Sequence, residues 1–415
     1  MSFTPEDAER YLLSLELFGM RFGLDRMRRL MTALGHPERA FDSIHVVGTN
    51  GKSSTVRMIA AILAEHGLRT GAYLSPHLLT FAERIRVGDA DLEPTAFAAA
   101  VQRAARAAEL VDRSLPDDDK VTQFEAVTAS AYSELAERGV QVAVIEAGLG
   151  GRYDATNVIP SKVQVLTTVG LEHTRWLGPT ITDIAGEKLD VVQPGATLVL
   201  GSGLHPDAMR VAEAVAAERG ARIVVAGADP GVPVGALGTF QRRNFALAQA
   251  AAEAYLGELD LRAVTRAAAS IRVPGRLQIV DEEPLTLLDG AHNPDGMAAL
   301  AESLPELVEG HDELVGVVSI LDDKDAAGML GALLPATDRI VFTSSQNPRA
   351  LPPPTLQSLA GQLHGPPSEV VRDPRAALRR ARELAGRGGV VIATGSIYLV
   401  ADLLAPAGRR RASML

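Results

Sequence analysis

No cysteine occurs in this 415-residue chain, which excludes disulfide bonds, thiolate metal sites and cysteine nucleophiles. Long apolar runs are also missing. Because a membrane-spanning helix needs about 18 or more such residues, none is predicted. The first residues, MSFTPEDAERYLL, contain an acidic cluster and lack the apolar core of a secretory signal. These absences predict a soluble, cytoplasmic protein.

Basic residues are fewer than acidic ones, 41 Lys and Arg against 51 Asp and Glu, so the formal net charge is −10. Nucleic acids and anionic membranes are bound by broad basic faces, so neither is expected as a partner. Small anionic substrates are compatible with this charge, because a few Lys and Arg residues can form a local positive cleft. The length, together with 47% hydrophobic residues, favours two domains with separate cores.

Short apolar runs alternate with helix-like segments, a pattern typical of βαβ units and of a mainly parallel, doubly wound sheet. The predicted strands are Ile44–Val47, Val140–Ile145, Val163–Thr168, Thr197–Leu200, Arg222–Ala226, Leu285–Leu288, Leu314–Leu321, Arg339–Thr343 and Val390–Ala393. The predicted helices include Ser53–His66, Phe97–Leu110, Phe124–Arg138 and Asn244–Leu256. A Pro-Gly pair in IRVPGRLQIV, residues 271–280, is typical of a hinge. We therefore predict an α/β fold with a large domain at 1–274 and a smaller one at 275–415.

The stretch HVVGTNGKSSTVRM, residues 45–58, is a candidate phosphate-binding loop. It places a glycine-rich turn between a strand and a helix, although Val46 stands where the strict G-x-x-x-x-G-K-[ST] pattern has its first glycine. Backbone N–H groups at such a turn bind phosphate oxygens. Lys52 would neutralise phosphate charge, and the Ser53 hydroxyl would bind Mg²⁺. An ordinary glycine turn is the alternative, but the strand–turn–helix context favours nucleotide binding.

Two other polar positions follow apolar strands. Glu146 closes a strand where an unpaired carboxylate is costly to bury, but a crevice at the sheet edge would let Mg²⁺ offset its charge. His173 follows the next strand, and neutral imidazole is a good metal ligand. Taken alone, His173 is more typical of a structural histidine, and Glu187–Lys188 of a solvated pair on a helix.

The full set of motifs resembles the folylpolyglutamate synthase/dihydrofolate synthase family, within the Mur-type ATP-dependent amide ligases. The matching stretches are GTNGKSS (48–54), SPHLLTFAERIRV (75–87), TQFEAVTASAY (122–132), EAGLGGRYDATN (146–157), EHTRWLG (172–178), IAGEKLDVVQPG (184–195), FQRRNFALA (240–248), PGRLQ (274–278), DGAHNPDG (289–296), DDKD (322–325), NPRA (347–350) and GSIYLV (395–400). They span nearly the whole chain. The resemblance implies a large P-loop-containing, Mur-ligase-like domain followed by a smaller Rossmann-like α/β domain.

The resemblance implies roles for particular residues. Phosphate binding is implied for Gly48, Thr49, Asn50, Gly51, Lys52 and Ser53, and Mg²⁺ binding for Ser53, Glu146, His173 and Lys188. Catalytic roles are implied for Lys52, Glu146, His173 and Lys188. In this family the lysine at the position of Lys188 is carbamylated, which is chemically plausible only if its pKa lies well below the usual value of about 10.4.

The remaining matches concern the nucleotide and the acceptor. ATP contacts are implied for Gln241, Asn244, Arg276, Asp289 and His292. Positions that line the pteridine side of the acceptor site are implied for Ser75, Pro76, His77, Phe124, Glu125 and Thr128. Arg276 is also compatible with an interdomain salt bridge, and the helical spacing of Phe124 with a core position.

The chain departs from the family pattern at two places. Glu172 stands where the family usually has Asp, which adds a methylene beside His173. EKLDVV replaces the commoner EKAGII and puts Asp190 close to Lys188 in sequence. Both departures bear on the fine geometry of the site and on substrate preference.

The activity that the resemblance implies is ATP-dependent addition of L-glutamate to dihydropteroate, to the γ-carboxyl of folate glutamate tails, or to both. ATP and Mg²⁺ are the implied cofactors, the other partners are the small substrates, and the implied state is a monomer. A Mur-type ligase acting on another carboxylate, such as a cell-wall precursor, is the nearest alternative. A nucleotide-binding regulatory module without ligase chemistry is a more distant one.

Overall fold

A computed structural model describes residues 2–16, 23–116 and 119–406. In these ranges the chain forms two α/β units, each built on one sheet, and the change of sheet falls between Val225 and Gln278. None of the helices in the described ranges combines the length and apolar character needed to cross a membrane.

The first sheet belongs to the N-terminal unit. Its strands are Asp42–Val47 (β1), Thr70–Tyr73 (β2), Ile85–Val87 (β3), Ala90–Asp91 (β4), Val142–Glu146 (β5), Val163–Leu166 (β6), Thr197–Leu200 (β7) and Arg222–Val225 (β8). Their spatial order is β4-β3-β2-β5-β1-β6-β7-β8. All neighbours are parallel except β3, which pairs antiparallel with β2 and with β4. The predicted mainly parallel, doubly wound sheet is confirmed.

Helices cover both faces of this sheet. They are Pro5–Ser14 (α1), Asp25–Ala33 (α2), Lys52–Glu65 (α3), Pro94–Asp112 (α4), Gln123–Glu137 (α5), Thr174–Leu177 (α6), Ile181–Leu189 (α7), Pro206–Arg219 (α8), Thr239–Leu256 (α9) and Leu261–Ser270 (α10). The side chains of β5 alternate between two cores, as successive residues of a strand must. Val142 and Val144 pack with α3, α9 and α10, whereas Ala143 and Ile145 pack with α1, α2, α4 and α5.

The second sheet belongs to the C-terminal unit. Its strands are Gln278–Glu282 (β9), Leu285–Leu288 (β10), Leu314–Val318 (β11), Arg339–Phe342 (β12), Ser368–Val370 (β13) and Val390–Thr394 (β14). Their order is β13-β12-β11-β14-β10-β9, and only β9 pairs antiparallel among these described strands. The helices are Pro294–Val308 (α11), Ala326–Leu333 (α12), Pro353–Gln362 (α13), Pro374–Ala385 (α14) and Ile397–Leu404 (α15). The predicted smaller α/β domain is confirmed.

The nine predicted strands are all present, with ends shifted by up to three residues. The largest shift is at β11, which stops at Val318, three residues before its predicted end. Sequence patterns missed β2, β3, β4, β9 and β13. Strand β2 has the short sequence TGAY, and β9 is an edge strand whose Ile279 and Val280 are exposed, so neither has a distinctive apolar pattern.

The two units meet along two lines of contact. On one side, α9 and α11 are joined by ion pairs, of which Arg242–Glu306 has an N–O distance of 2.6 Å. On the other side, Asn50 and Asn293 exchange two amide hydrogen bonds of 3.0 and 2.9 Å. Between these lines lies a cleft at the carboxyl ends of β1, β5, β6 and β10, where parallel α/β sheets bind ligands.

Candidate active site

The cleft contains a cavity of about 800 Å³ with walls from both units. Most of the predicted site residues line it: Gly48, Thr49, Asn50, Gly51, Lys52, Ser53, Ser75, Pro76, Glu146, His173, Lys188, Asn244, Arg276, Asp289 and His292. These residues are spread over more than 240 positions of sequence. Most of them meet because they follow strands or lie near a helix start at one edge of a sheet, whereas Lys188 is in the last turn of α7 and Asn244 lies within α9.

The phosphate-binding loop joins β1 to α3 through two glycines in left-handed backbone conformations. Gly48 has φ of +151° and Gly51 has φ of +84°, and side chains there would collide with Thr167 and Asn244 respectively. Lys52 begins α3, and its Nζ donates to the carbonyl oxygens of Gly48 at 3.1 Å and Thr49 at 3.2 Å. The loop therefore holds a cation and a helix N-terminus together, as phosphate binding requires.

Ser53 and Glu146 form the best-defined contact of the predicted metal site. The Ser53 hydroxyl donates to Glu146 Oε1 at 2.9 Å, and the Ser75 N–H donates to Glu146 Oε2 at 3.0 Å. Glu146 is 1% exposed. Its burial raises the pKa of the carboxyl, while Lys52 and the two hydrogen bonds oppose that rise. A buried carboxylate held by neutral donors beside a hydroxyl fits Mg²⁺, which prefers oxygen ligands.

Lys188, at the end of α7, is buried against the phosphate-binding loop. Its Nζ donates to the Gly48 carbonyl oxygen at 2.8 Å. Burial, together with the nearby charge of Lys52, lowers the pKa of Lys188 to about 7. A large fraction of this amine is therefore neutral near neutral pH, which meets the chemical condition for carbamylation. Asp190 pairs instead with Arg152 and Arg219, at 3.5 and 3.2 Å.

His173 occupies the rim of the same cavity. It is an exposed residue with φ of 53°, and desolvation at the cavity wall, followed by the positive charge of Lys324, lowers its pKa to about 4. Its imidazole is therefore neutral and able to bind a metal. In the described ranges, no three His, Asp or Glu side chains lie close enough together to form a metal centre. Substrate phosphates would have to complete the coordination, as Mg²⁺ sites commonly require.

The C-terminal unit contributes Arg276, Asp289 and His292. Asp289 is buried, and its carboxylate accepts from the backbone N–H groups of Leu277 at 2.9 Å and Ala291 at 2.8 Å. Burial raises the pKa of Asp289, and the charge of Arg276 opposes that rise. Arg276 donates to the Gly275 carbonyl oxygen, and its guanidinium lines the cavity. These side chains put one cation and one carboxylate opposite the phosphate-binding loop.

Gln241 and Asn244 differ in placement although both lie on α9. Asn244 lines the cavity, and its amide donates to Gln241 Oε1 at 3.0 Å. Gln241 is fully buried and lies off the cavity wall. A direct contact between Gln241 and ATP is therefore not supported by this arrangement, whereas an indirect role through Asn244 is.

The predicted pteridine-side residues are only partly brought to the cavity. Ser75 and Pro76 line it, but the other four do not: three of them are buried elsewhere, and Phe124 is half-buried. His77 Nδ1 accepts from Arg84 Nε at 2.9 Å, and Thr128 contacts the Tyr73 hydroxyl at 3.0 Å.

Glu125 and Phe124 are the other two residues that do not line the cavity. Glu125 accepts from Arg26 Nε at 3.0 Å and from the Thr122 N–H at 2.9 Å, and the second bond completes the capping box of α5, whose N-cap is Thr122. The Phe124 ring packs against Gly148 and Tyr73. Polar residue types in a helix did not distinguish a cavity position from an interior one.

Sequence analysis also missed part of the cavity wall. This part includes Gly201, Leu204 and His205 after β7, and Phe240 and Leu247 on α9. A side chain at Gly201 would collide with the Thr167 carbonyl oxygen, so the glycine allows a close approach of two strand ends. The only sequence signal was the pair of glycines in GSG directly after a predicted strand.

A second cavity, of about 1170 Å³, lies beside the loop that follows β5. Its wall includes Arg26, Asp119, Arg152, Tyr153 and Asn157. The same loop contributes Gly148 and Leu149 to the first cavity, so the two spaces share one loop.

Comparisons with known proteins agree with this architecture. Residues 275–397 match the family model described as Mur ligase, glutamate ligase domain. The dihydrofolate synthase/folylpolyglutamate synthase of Bacillus subtilis is 33% identical over 435 residues, covering 96% of this chain and 98% of that protein. A probable bifunctional folylpolyglutamate synthase/dihydropteroate synthase of Haloferax volcanii is 35% identical over 95% of this chain, which spans only 50% of that longer protein.

Solved structures are similar over nearly the whole chain. A folylpolyglutamate synthase of Mycobacterium tuberculosis complexed with ADP has a TM-score of 0.89 and 32% identity, covering 98% of this chain and 99% of that one. FolC of Escherichia coli in complex with DHPP and ADP has a TM-score of 0.86 and 28% identity, with 97% of each chain covered. The fold and site thus define a Mur-type ligase. The chain belongs to the folylpolyglutamate synthase/dihydrofolate synthase family.

Proposed function

We propose that this chain joins L-glutamate to a pteridine-bearing carboxylic acid at the expense of ATP. The acid is dihydropteroate, the γ-carboxyl of a (tetrahydro)folate glutamate tail, or both. One observation carries the proposal: Lys52, the Ser53–Glu146 pair and Lys188 share one cavity with Arg276 and His292 of the other unit. The names of the relatives support the same activity.

A free carboxylate reacts poorly with amines because it is negatively charged and has no good leaving group. Transfer of the ATP γ-phosphoryl group to the acid gives an acyl phosphate and ADP. Attack by the neutral α-amine of glutamate on the acyl carbon then expels phosphate and leaves an amide. Positioning and charge neutralisation supply most of the catalysis in phosphoryl transfer.

The residues of the N-terminal unit would hold the triphosphate. Backbone N–H groups of the loop at 48–53 and the start of α3 would bind phosphate oxygens, and Lys52 would exchange its carbonyl partners for them. Ser53, Glu146 and His173 would hold Mg²⁺, which supplies charge neutralisation of the phosphates when bound. Arg276 would contact phosphate from the other unit, and a guanidinium makes such contacts in bidentate form.

Lys188 is proposed to act as a carbamate. Its neutral amine would attack CO₂ and release a proton, which converts a cationic side chain into an anionic one beside Gly48. This change would remove the repulsion between Lys188 and Lys52 and add oxygen ligands near the Ser53–Glu146 pair. The lowered pKa of Lys188 supports this step.

The acceptor would approach from the side of Ser75 and Pro76, because both lie beside the buried Glu146 carboxylate. The second cavity is large enough for the pteridine part of such an acid. It adjoins the loop that also borders the first cavity, so one extended molecule would place its ring in one space and its carboxyl in the other. The polar side chains of Asp119, Tyr153 and Asn157 would meet the polar edge of the ring.

The test is product analysis by mass spectrometry. The protein is incubated with ATP, Mg²⁺ and glutamate, with dihydropteroate and tetrahydrofolate offered separately. We expect a glutamyl adduct from at least one acceptor and none without ATP. Glutamate-dependent phosphate release without either adduct would instead support a Mur-type ligase for another acid.

Three further parts of the proposal concern the whole molecule. We place the domain boundary at 274/275, within the link between the two sheets, and expect limited proteolysis to cut near it. The cytoplasm is the proposed location, and a monomer the proposed state. Sedimentation velocity should give one species near the chain mass of 43.8 kDa.

A further inference from the structure

Residues of the C-terminal unit contact the segment between β6 and α6. Glu172 Oε1 accepts from Lys324 Nζ at 3.0 Å and lies 3.5 Å from His292 Nε2. At the other end of the segment, a side chain on Gly170 would collide with the Asp295 carboxylate. Two separate loops of the second sheet, after β10 and after β11, therefore reach across the cleft to this turn.

The turn itself has an unfavourable backbone. His173 has φ of 53°, a left-handed conformation that residues with a Cβ adopt at a cost. Such conformations persist where the surroundings hold them, and they are common at functional sites. The α6 helix that follows has only four residues, so it offers little support of its own.

The ion pair is well shielded from solvent. The side chains of Glu172 and Lys324 are 11% and 14% exposed, so screening by water is weaker than at a surface pair. His292 strengthens the arrangement. Its Nδ1 must donate to the Gly290 carbonyl oxygen, 2.8 Å away, which leaves Nε2 facing Glu172. Glu172 therefore has a second neighbour from the C-terminal unit besides Lys324.

We propose that Lys324 is a positioning residue for the ligase reaction. Through Glu172 it holds the turn that presents His173, so the geometry of the metal ligand depends on closure of the two units. Separation of the units would remove Lys324 and His292 from Glu172 and free the turn to relax. This inference rests on the proposed metal role of His173.

Another interdomain pair provides a matched control. Arg242 and Glu306 join α9 to α11, with side chains 43% and 51% exposed, and neither lines the cavity. Loss of this pair removes a contact between the units without touching the turn at His173. Differences between the two pairs therefore report on the turn rather than on domain contact in general.

The experiment measures Mn²⁺ binding by electron paramagnetic resonance, with ADP present, and the Mg²⁺ dependence of kcat, on the full chain. The variants are Lys324→Met, Glu172→Gln, their double mutant, Lys324→Arg, His173→Ala and the control Arg242→Gln/Glu306→Gln. Far-UV circular dichroism checks folding. If Lys324→Met does not fold, Glu172→Asp replaces it, since a shorter side chain weakens the same contact.

We expect Lys324→Met and Glu172→Gln each to weaken Mn²⁺ binding by about tenfold, the lower end of the range for residues that orient metal ligands. The double mutant should be no worse than either single mutant, because both act through one contact. Lys324→Arg should stay within about threefold of the wild type, and the control pair within about twofold.

Two results would overturn the proposal. One is multiplicative losses in the double mutant, which would mean that the residues act independently. The other is a fall in kcat for Lys324→Met with unchanged Mn²⁺ affinity, which would indicate that Lys324 contacts a substrate directly. His173→Ala separates the two hypotheses. If that variant keeps full Mn²⁺ affinity, the metal role proposed for His173 fails, whatever the result at Lys324.

Discussion

Glu146 and Glu125 are both buried carboxylates of the N-terminal unit, but their surroundings differ. Glu146 ends β5 and accepts hydrogen bonds from the neutral Ser53 hydroxyl and Ser75 N–H. Glu125 lies in the first turn of α5 and forms an ion pair with Arg26 in addition to completing the capping box of the helix. Glu125 thus has its counter-charge inside the fold, whereas Glu146 faces a cavity where a cation can supply it.

The difference separates a binding carboxylate from a structural one. Burial without a paired cation raises the pKa of Glu146 and makes its charge unfavourable to the empty protein. An unfavourable charge at a cavity is typical of functional sites, where stability is lowered locally for binding. A buried ion pair, by contrast, becomes costly only when one partner is removed.

The largest effect is expected at the phosphate-binding loop. Lys52→Ala should lower kcat by about two to three orders of magnitude, the scale for loss of one electrostatic stabiliser. Steady-state kinetics of glutamate-dependent phosphate release measures it. Near-native turnover would contradict the assignment of Lys52 to the triphosphate.

Removal of the charge of Glu125 tests the structural half of the comparison. Glu125→Gln leaves the buried Arg26 with Asp119 as its remaining anionic partner, so the free energy of unfolding should fall by about 3 kcal/mol. Urea denaturation measures the loss. The KM for the acceptor should change less than about threefold. A large rise in the KM for the acceptor with unchanged stability would indicate that Glu125 contacts the acceptor.

The same substitution at Glu146 should give the opposite pattern. Glu146→Gln should lower kcat/KM for Mg-ATP by about 50-fold, because a carboxylate that balances metal charge is lost. The free energy of unfolding should stay equal or rise, since an unfavourable buried charge is removed. A variant that unfolds readily but keeps its activity would mean that Glu146 is structural.

Lys188 should make stability depend on pH. Its pKa is about 7 in the folded protein and about 10.5 in the unfolded chain, so the unfolded state binds more protons between these values. Stability of the wild type should therefore rise with pH across this window. In CO₂-free buffer, Lys188→Met should be more stable than the wild type by about 2 kcal/mol at pH 6, with the gap closing towards pH 10. A gap independent of pH would contradict the lowered pKa.

The residues that the sequence predicted for the phosphate side lie together in the interdomain cavity. Residues after strands, such as Gly48 after β1 and His173 after β6, reach the cleft because parallel strands share one edge. The larger strands were predicted because buried parallel strands have continuous apolar runs. Short strands such as β2 and the exposed edge strand β9 lack that signal.

The acceptor side could not be predicted in the same way. Most residues of α5 are buried and none lines the cavity, so the role of Glu125 depends on where Arg26 lies in the fold. The pairing of Glu172 with Lys324 could not be predicted from the sequence either, because the two residues are 152 positions apart and belong to different units. Their meeting depends on how the units dock.

The central claim is that Ser53 and Glu146 hold a metal beside the triphosphate in the interdomain cavity. A crystal structure with Mn²⁺ and a non-hydrolysable ATP analogue tests it most directly through anomalous scattering. The account predicts a peak in contact with the Ser53 hydroxyl, the Glu146 carboxylate and the terminal phosphate. A metal bound elsewhere, with both side chains keeping their mutual hydrogen bond, would contradict it.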